Sequence, residues 1–230
     1  NDDEVRSQAF YEVKRAVETC EWSEEELERS VRYVLNAKFE QGLFNSAGKT
    51  VPSEAPAAIA TPESRATCSE TAARAITLLR DRDRLIPLSK ESKVLVIEQV
   101  VPLEFTPNDL HCNSFVLNES MIKQSRNVIN ASTQFAATEA ESGLMVDLAT
   151  EADVVVVTNF YWRIHPENNS GLVRRLMDAG HKVVVVTNTP YEVGNIPEVG
   201  TVLCTFSGMA ESMRATARCL WLTARSSSRV

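Results

Sequence analysis

One hexapeptide occurs twice in this 230-residue chain, and it constrains the fold more than any other feature. Residues 154–159 and 183–188 both read VVVVTN. Four consecutive β-branched residues without polar alternation indicate a strand that is buried on both faces, as in a parallel sheet covered by helices. The two copies therefore predict two strands in the interior of an α/β fold.

The segment between the two copies predicts the helix that connects them. Residues 166–170 are polar and suit a helix start, whereas Gly180 suits a helix end. The apolar residues between them recur at helical spacing: Leu172, Val173, Leu176 and Met177. The unit is strand–helix–strand, and crossovers of this kind are almost always right-handed.

Both predicted strands end in Thr-Asn, which places two hydroxyls and two amides at the carboxyl edge of the sheet. Ligands of open α/β sheets bind at that edge. One reading is therefore a flavodoxin-like module that binds a small ligand without catalysis, through Thr158, Asn159, Thr187 and Asn188.

The remaining sequence extends this pattern over residues 93–222. We expect strands at 94–97, 127–130 and 201–206, and helices at 115–124, 139–152 and 210–222, the second of these helices with Leu144, Met145 and Leu148 inward. Strands that alternate with helices of this length predict a doubly wound, flavodoxin-like, mostly parallel sheet, that is, an α/β sandwich.

The first 80 residues predict three helices. Phe10, Val13 and Val17 mark an apolar stripe on the first helix, and a capping box of Ser23 and Glu26 begins the second. The second helix has an expected buried face of Leu27, Val31, Val34, Leu35 and Phe39, and a third helix is expected over 63–80. Residues 45–62 are rich in Ser, Ala and Pro and are interpreted as a linker between residues 1–44 and a domain at 63–230.

Composition narrows the function classes. A net charge of −7 argues against a nucleic-acid surface, and no apolar run approaches the ~20 residues of a membrane span. Five scattered cysteines without a CxxC motif indicate free thiols and favour a reducing compartment. We therefore predict a cytoplasmic protein, or an extracytoplasmic one if a preceding segment carries a signal. The chain has no GxGxxG motif or P-loop, and His111 lacks a second ligand pair, so no cofactor and no metal are predicted.

Several stretches in order resemble the family 3 glycoside hydrolases. Residues 29–39 (RSVRYVLNAKF), followed by QGLF at 41–44, look like the helix that closes their catalytic barrel. Residues 73–88 (ARAITLLRDRDRLIPL) are similar to the start of their second domain, and the valine strands with the Thr189-Pro190-Tyr191 turn fit that domain. The resemblance implies that residues 1–44 are the last helices of a barrel whose main part lies ahead of Asn1.

The resemblance implies a retaining glycoside hydrolase whose aspartate nucleophile lies in that barrel. No stretch of this chain matches the nucleophile motif, so we predict no catalytic residue here and expect the chain alone to be inactive. The RDRDRLIPL phrase at 80–88 and the VLVIEQ strand resemble the bacterial β-N-acetylglucosaminidase type. The alternative is a β-glucosidase type, in which Glu167 would be the acid/base in the second domain.

The expected partner is a carbohydrate that binds through the missing barrel. We assign substrate-binding roles to Asn159, Trp162, Asn188 and His111. Trp162 follows the first Thr-Asn, and its ring suits either stacking on a sugar or packing on the adjacent domain. Without the barrel, the apolar faces of the first two helices would be uncovered, so self-association as a homodimer is the other expected contact.

Overall fold

The computed structural model describes residues 2–46, 59–100, 115–161 and 167–222, without the side chains of Asp2, Ser46, Glu192 and Val193. The chain divides into two compact units, residues 1–60 and 61–230. Among the described residues, no helix is long and apolar enough to cross a membrane. His111 and Trp162 lie outside the described residues.

The first unit is helical. It contains α1 (Asp2–Glu18), α2 (Glu24–Glu40) and the single turn α3 (Leu43–Ser46). The predicted capping box is confirmed, because the N–H of Glu26 donates to Ser23 Oγ (3.2 Å) and the N–H of Ser23 donates to the Glu26 carboxylate (3.1 Å). Gly42 follows α2 with φ 70°, a conformation that glycine adopts without steric cost.

The apolar faces of this unit are not buried. The periodicity of α2 predicted a buried face, whereas helices without a barrel to pack on were expected to be uncovered, and the exposures agree with the second expectation. None of the residues of α2 is buried, and its predicted inner face includes Val31, Leu35 and Phe39 at 48%, 46% and 69% exposure. Phe10 on α1 is 66% exposed. The periodicity located the apolar stripe correctly, but nothing described within the unit covers it.

The second unit is an α/β sandwich. Its elements are α4 (Pro62–Ala75), β1 (Thr77–Asp81), β2 (Val94–Gln99), α5 (Val116–Gln124), β3 (Val128–Thr133), α6 (Glu139–Ala149), β4 (Val154–Thr158), α7 (Ser170–Asp178), β5 (Val183–Thr187), β6 (Thr201–Cys204) and α8 (Ala210–Trp221), with a 3₁₀ turn at Pro190–Gly194. The sheet order is β1-β6-β5-β4-β2-β3. Only β1 is antiparallel to its neighbour. The five parallel strands follow the flavodoxin-like order, so the predicted fold class is confirmed.

The two VVVVTN copies form neighbouring strands, as the sequence predicted. Strand β4 pairs with β5 in a register that places Val155 beside Val183. All ten residues of the two strands are buried. Helices α5 and α8 contribute side chains to the core on one face of the sheet, and α6 and α7 contribute them on the other. Burial on both faces explains why neither strand shows polar alternation.

Two details of the prediction are wrong. The helix expected over 63–80 ends at Ala75, and residues Thr77–Asp81 form the edge strand β1 against β6. The apolar spacing of this segment suited either structure, and pairing with β6 decided for the strand. On α6, Met145 is buried, whereas Leu144, which was expected inward, is 55% exposed.

The contrast between buried and exposed leucines gives a test of the core. Leu176 on α7 is fully buried in the cluster against β4 and β5. We expect Leu176→Ala to lower the free energy of unfolding by about 2–5 kcal/mol, because it removes buried methyl groups and leaves a cavity. Leu144→Ala on the neighbouring helix should cost less than about 0.5 kcal/mol. Urea unfolding followed by circular dichroism measures both, and equal losses would contradict this placement of the core.

Candidate functional site

The carboxyl edge of the sheet carries a layer of buried polar side chains. Strand β2 ends in Glu98 and Gln99, β4 ends in Thr158 and is followed by Asn159, and all four residues are at most 2% exposed. Strands β2 and β4 are the neighbours between which the strand order of this fold reverses. Ligands of doubly wound sheets bind outside that point, so this edge is the candidate site.

Glu98 is held by the start of helix α5. Its Oε1 accepts the N–H of Leu117 (3.1 Å) and its Oε2 accepts the N–H of Asn118 (2.9 Å). Phe115, just before the helix, has φ 70°, which is uncommon for an aromatic residue. The carboxyl group therefore satisfies main-chain donors of the helix, as a capping side chain does.

Burial dominates the ionisation of this carboxyl group. Desolvation raises the pKa of Glu98 to about 7, although the backbone N–H groups of Asn118, Leu117 and Phe115 act to lower it. No charged group among the described residues contributes to this shift. Glu98 can gain or lose a proton near neutral pH, but the side chain is only 2% exposed. It is thus closed off from a solvent-borne substrate.

Gln99 ties the same edge to the segments beside it. The N–H of Gln99 donates to Thr158 Oγ1 (2.7 Å), its side-chain amide donates to the carbonyl of Phe135, and its Oε1 accepts the N–H of Phe160. Each hydrogen-bonding group of this side chain therefore has a partner within the fold. The hydroxyl of Thr158 accepts from the same residue and does not face a free ligand position.

Asn159 is one of the predicted binding residues, and it is fully buried. Its N–H donates to the carbonyl of Val186 (2.8 Å), and its side-chain amide donates to Ser170 Oγ (3.1 Å) at the start of α7. Its Oδ1 has no hydrogen-bond partner among the described residues. The structure places this residue as a link between β4 and α7, and its predicted role in substrate binding stays a prediction.

Asn188 follows the end of the next strand and is half-buried, and the register, with Thr158 opposite Val186, offsets it by one residue from Asn159. Its Oδ1 accepts the N–H of Tyr161 (2.8 Å), and its side-chain amide donates to the carbonyl of the same residue (2.9 Å). Asn188 thus fixes the segment that leaves β4. The side chain of Tyr161 is 42% exposed. The next residue in the sequence is Trp162, which was predicted to bind substrate and lies outside the described residues.

Glu167 is exposed and precedes the N-terminus of α7. Among the described residues, no group of three or more His, Cys, Asp or Glu side chains has the arrangement of a metal site. The edge therefore carries amides that are engaged within the fold, the exposed rings of Tyr161, Tyr191 and Phe206, and the exposed carboxylate of Glu167. The described residues do not bring together the pair of carboxyl groups that glycoside hydrolysis requires.

Sequence reasoning missed Glu98. The available signal was an acidic side chain at the end of an otherwise apolar strand, VLVIEQ, which also begins the parallel sheet. An acidic residue in such a position requires hydrogen-bond donors, and an adjoining helix N-terminus supplies them.

The fold has close counterparts among solved structures. A family 3 β-N-acetylglucosaminidase from a Paenibacillus species superposes with a TM-score of 0.65 at 23% identity, over 90% of this chain and 39% of that one. A β-glucosidase mutant from Listeria innocua, in complex with laminaribiose, gives 0.62 at 23% identity, over 90% of this chain and 32% of that one. The chain shares its fold with part of the family 3 glycoside hydrolases. The resemblance predicted from the sequence is confirmed at this level.

A more distant counterpart has further domains. A fungal multi-domain family 3 β-N-acetylglucosaminidase superposes with a TM-score of 0.56 at 18% identity, over 94% of this chain and 24% of that one. The chain therefore spans between about a quarter and two fifths of the length of these solved relatives. No protein-family model matches the sequence, and no curated protein matches it either.

The buried Glu98 predicts a pH dependence of stability. Because its folded-state pKa of about 7 lies above the ordinary 4.5, the folded protein holds this proton more tightly than the unfolded chain. The favourable contribution is complete below about pH 4.5 and is lost as the pH rises through about 7. Each pKa unit corresponds to about 1.4 kcal/mol, so we expect the free energy of unfolding to fall by up to ~3 kcal/mol between pH 5 and 8.

Two variants isolate this effect. Glu98→Gln removes the titrating group, so its free energy of unfolding should lack this fall in urea titrations at a series of pH values. Glu119→Gln, an exposed position on the helix α5 that Glu98 caps, should retain the wild-type slope, because the pKa of Glu119 lies below its usual value and outside this pH range. A Glu98→Gln protein with the wild-type slope would show that Glu98 does not titrate between pH 5 and 8.

Proposed function

We propose that this chain is the C-terminal portion of a family 3 retaining glycoside hydrolase of the β-N-acetylglucosaminidase type. The enzyme would release terminal β-linked N-acetylglucosamine, and its catalytic nucleophile would lie in a barrel domain outside this sequence. The observation that carries the proposal is the unequal coverage of the structural match. It extends over 90% of this chain but only 39% of the Paenibacillus β-N-acetylglucosaminidase.

The chemistry of the described residues supports a non-catalytic role for this portion. A retaining mechanism needs two carboxyl groups about 5–5.5 Å apart on either side of a glycosidic bond. Glu98 is buried behind main-chain donors, and Glu167 is exposed at the surface. Neither arrangement provides a nucleophile next to an acid. The α/β sandwich would therefore support the barrel and border its sugar site.

The carboxyl edge is the surface that would border the sugar. There the Asn188 side chain holds the main chain of Tyr161 through two hydrogen bonds, and Trp162 follows directly. Aromatic rings are suited to carbohydrate, because the ring packs on the apolar face of the sugar. In this proposal Asn188 positions the aromatic segment, and Asn159 stabilises the strand end beneath it.

The proposal is tested with the complete coding region that contains this chain. We expect the product of that region to hydrolyse 4-nitrophenyl N-acetyl-β-glucosaminide, and the 230-residue chain alone to give only the buffer rate. One carboxylate cannot serve as both nucleophile and acid, which is the reason for the second expectation. A coding region without a barrel, or a full product inactive on this substrate, would overturn the proposal, as would turnover by the isolated chain.

A β-glucosidase type is the second candidate, because the Listeria β-glucosidase matches this chain at the same identity as the β-N-acetylglucosaminidase. That type would use Glu167 as the acid/base. In the full enzyme, we expect Glu167→Gln to change kcat/KM by less than about two-fold. Loss of a true acid/base would lower kcat/KM by about 10²–10⁴-fold.

The Glu167→Gln test has a matched control. Glu63→Gln alters another exposed glutamate, near the start of α4, and should leave the rate unchanged in either case. Rates are measured on both 4-nitrophenyl N-acetyl-β-glucosaminide and 4-nitrophenyl β-glucoside. A large loss for Glu167→Gln, together with preference for the glucoside, would assign the enzyme to the β-glucosidase type.

A further inference from the structure

Strand β3 is an open edge of the six-stranded sheet. It is the last strand in the order β1-β6-β5-β4-β2-β3 and pairs with β2 alone among the described strands. Its register with β2 is regular over all six residues, Val128–Thr133, without a bulge. An edge of this kind presents a row of unpaired main-chain donors and acceptors.

The direction of those groups follows from the pairing with β2. The N–H of Val94 donates to the carbonyl of Asn127 (2.8 Å), and the N–H of Val100 donates to the carbonyl of Thr133 (2.9 Å). Alternate residues of a strand direct their main-chain groups to the same side. The residues that direct them away from β2 are therefore Val128, Asn130 and Ser132. No hydrogen bond to the main-chain groups of these three residues is present in the described part of the chain.

The opposite edge of the sheet is protected, whereas β3 is not. Strand β1 has a register irregularity between Leu78 and Arg80, and it carries the charged side chains of Arg80 and Asp81. Bulges and charges are the usual means by which proteins prevent an edge from pairing with another chain. Residues Val128–Thr133 contain no charge and no proline.

A groove runs beside the β3 edge. It has a volume of about 310 Å³ and lies between one face of α5, with Phe115, Asn118 and Ile122, and the strand residues Asn130 and Ser132. The Asn118 amide donates to the carbonyl of Ala131 (3.0 Å), but no described residue donates to its Oδ1, although Asn118 is only 5% exposed. Asn118 therefore lines the groove, and its Oδ1 is buried beneath the groove surface.

We propose that β3 pairs with β3 of a second copy of this chain, antiparallel about a two-fold axis at Asn130. The three outward residues are symmetric about Asn130, so Asn130 meets itself and Val128 meets Ser132. Each of these three pairs can exchange two main-chain hydrogen bonds, which gives six across the axis. The two sheets would then form one continuous sheet of twelve strands.

The charges beside the edge favour a second copy. Helix α5 carries Glu119 and Lys123, which form an ion pair with an Nζ–Oε1 distance of 2.6 Å. Both residues are exposed and lie on the same side of the sheet as the groove. In the proposed pair the two α5 helices would be antiparallel, so the acidic position of one copy would approach the helix end that carries the basic position of the other. The edge would then meet its copy with charges of both signs.

The same pairing covers apolar surface that is otherwise half-exposed. Phe115 and Ile122 are 52% and 50% exposed, one turn on either side of Asn118. The second copy would bury part of both side chains and bring the Asn130 amide, a donor, to the side of the sheet on which Asn118 lies. Main-chain pairing supplies affinity and the flanking side chains supply specificity in strand-to-strand association.

Introducing a charge at position 130 tests this pairing, because the proposal places the two Asn130 side chains opposite each other. By sedimentation we expect the wild-type chain to form a dimer with a dissociation constant between about 1 and about 500 µM, as is typical of a small interface. Asn130→Lys and Asn130→Glu should each raise the dimer dissociation constant by about five-fold or more, because like charges directly opposite destabilise a strand pair. A one-to-one mixture of these variants should restore the wild-type constant or better.

Asn130→Gln is the matched control, because it lengthens the exposed side chain without adding charge, and it should stay within about two-fold of the wild type. A wild-type chain that is monomeric up to about 500 µM would overturn the proposal. A dimer that is insensitive to Asn130→Lys would also overturn it, because association would then use another surface, such as the apolar faces of α1 and α2. The proposal does not depend on the enzymatic activity.

Discussion

Strands buried on both faces have no water available for their main-chain groups, and every other feature of the second unit depends on this constraint. Each N–H and C=O of β4 and β5 must find a partner in a neighbouring strand. The valine side chains on the two faces must be covered by separate layers of helices. Alternation of strand and helix follows, because a parallel neighbour can be reached only by a crossover of a dozen or more residues.

This constraint applies only along the strands, and polar side chains occur where the strands end. The N–H of Gln99 donates to Thr158, the Asn159 amide donates to Ser170, and Glu98 satisfies the first turn of α5. This layer closes the ends of β2 and β4 against water. A buried carboxylic acid in such a layer is stable without a charged partner because it can hold its proton near neutral pH.

Much of this architecture could be predicted from the sequence, because its signals are local. The valine repeats, the Ser23 capping box and the glycine after α7 each fix structure within a few residues. Strand β1 could not be predicted, because its conformation is decided by pairing with β6, 120 residues further along the chain at Thr201. Exposure of the α2 face could not be predicted from the periodicity alone, since a stripe of apolar residues shows where a partner would pack and not whether one is present. It was expected only from the family resemblance, which implies that these helices pack on a barrel.

The candidate site was predicted in position but not in detail. Asn159 and Asn188 lie at neighbouring strand ends, as the repeat implied, yet their amides are engaged with Ser170 and Tyr161. Such contacts depend on how the loops return to the sheet, and loop paths follow from three-dimensional packing. Glu98 illustrates the same limit, because its donors come from a helix about 20 residues later in the chain.

The sequence identity of β4 and β5 has a consequence for how the sheet is assembled. Two strands with the same side chains in the same order present equal surfaces to β2, so side-chain chemistry cannot decide which of them becomes its neighbour. The choice falls to the connections, above all to the short α7 crossover that joins the two copies. An insertion or deletion in that crossover would therefore favour a change of strand order. Such a change of topology would cause little loss of packing energy, because the two exchanged strands carry the same side chains.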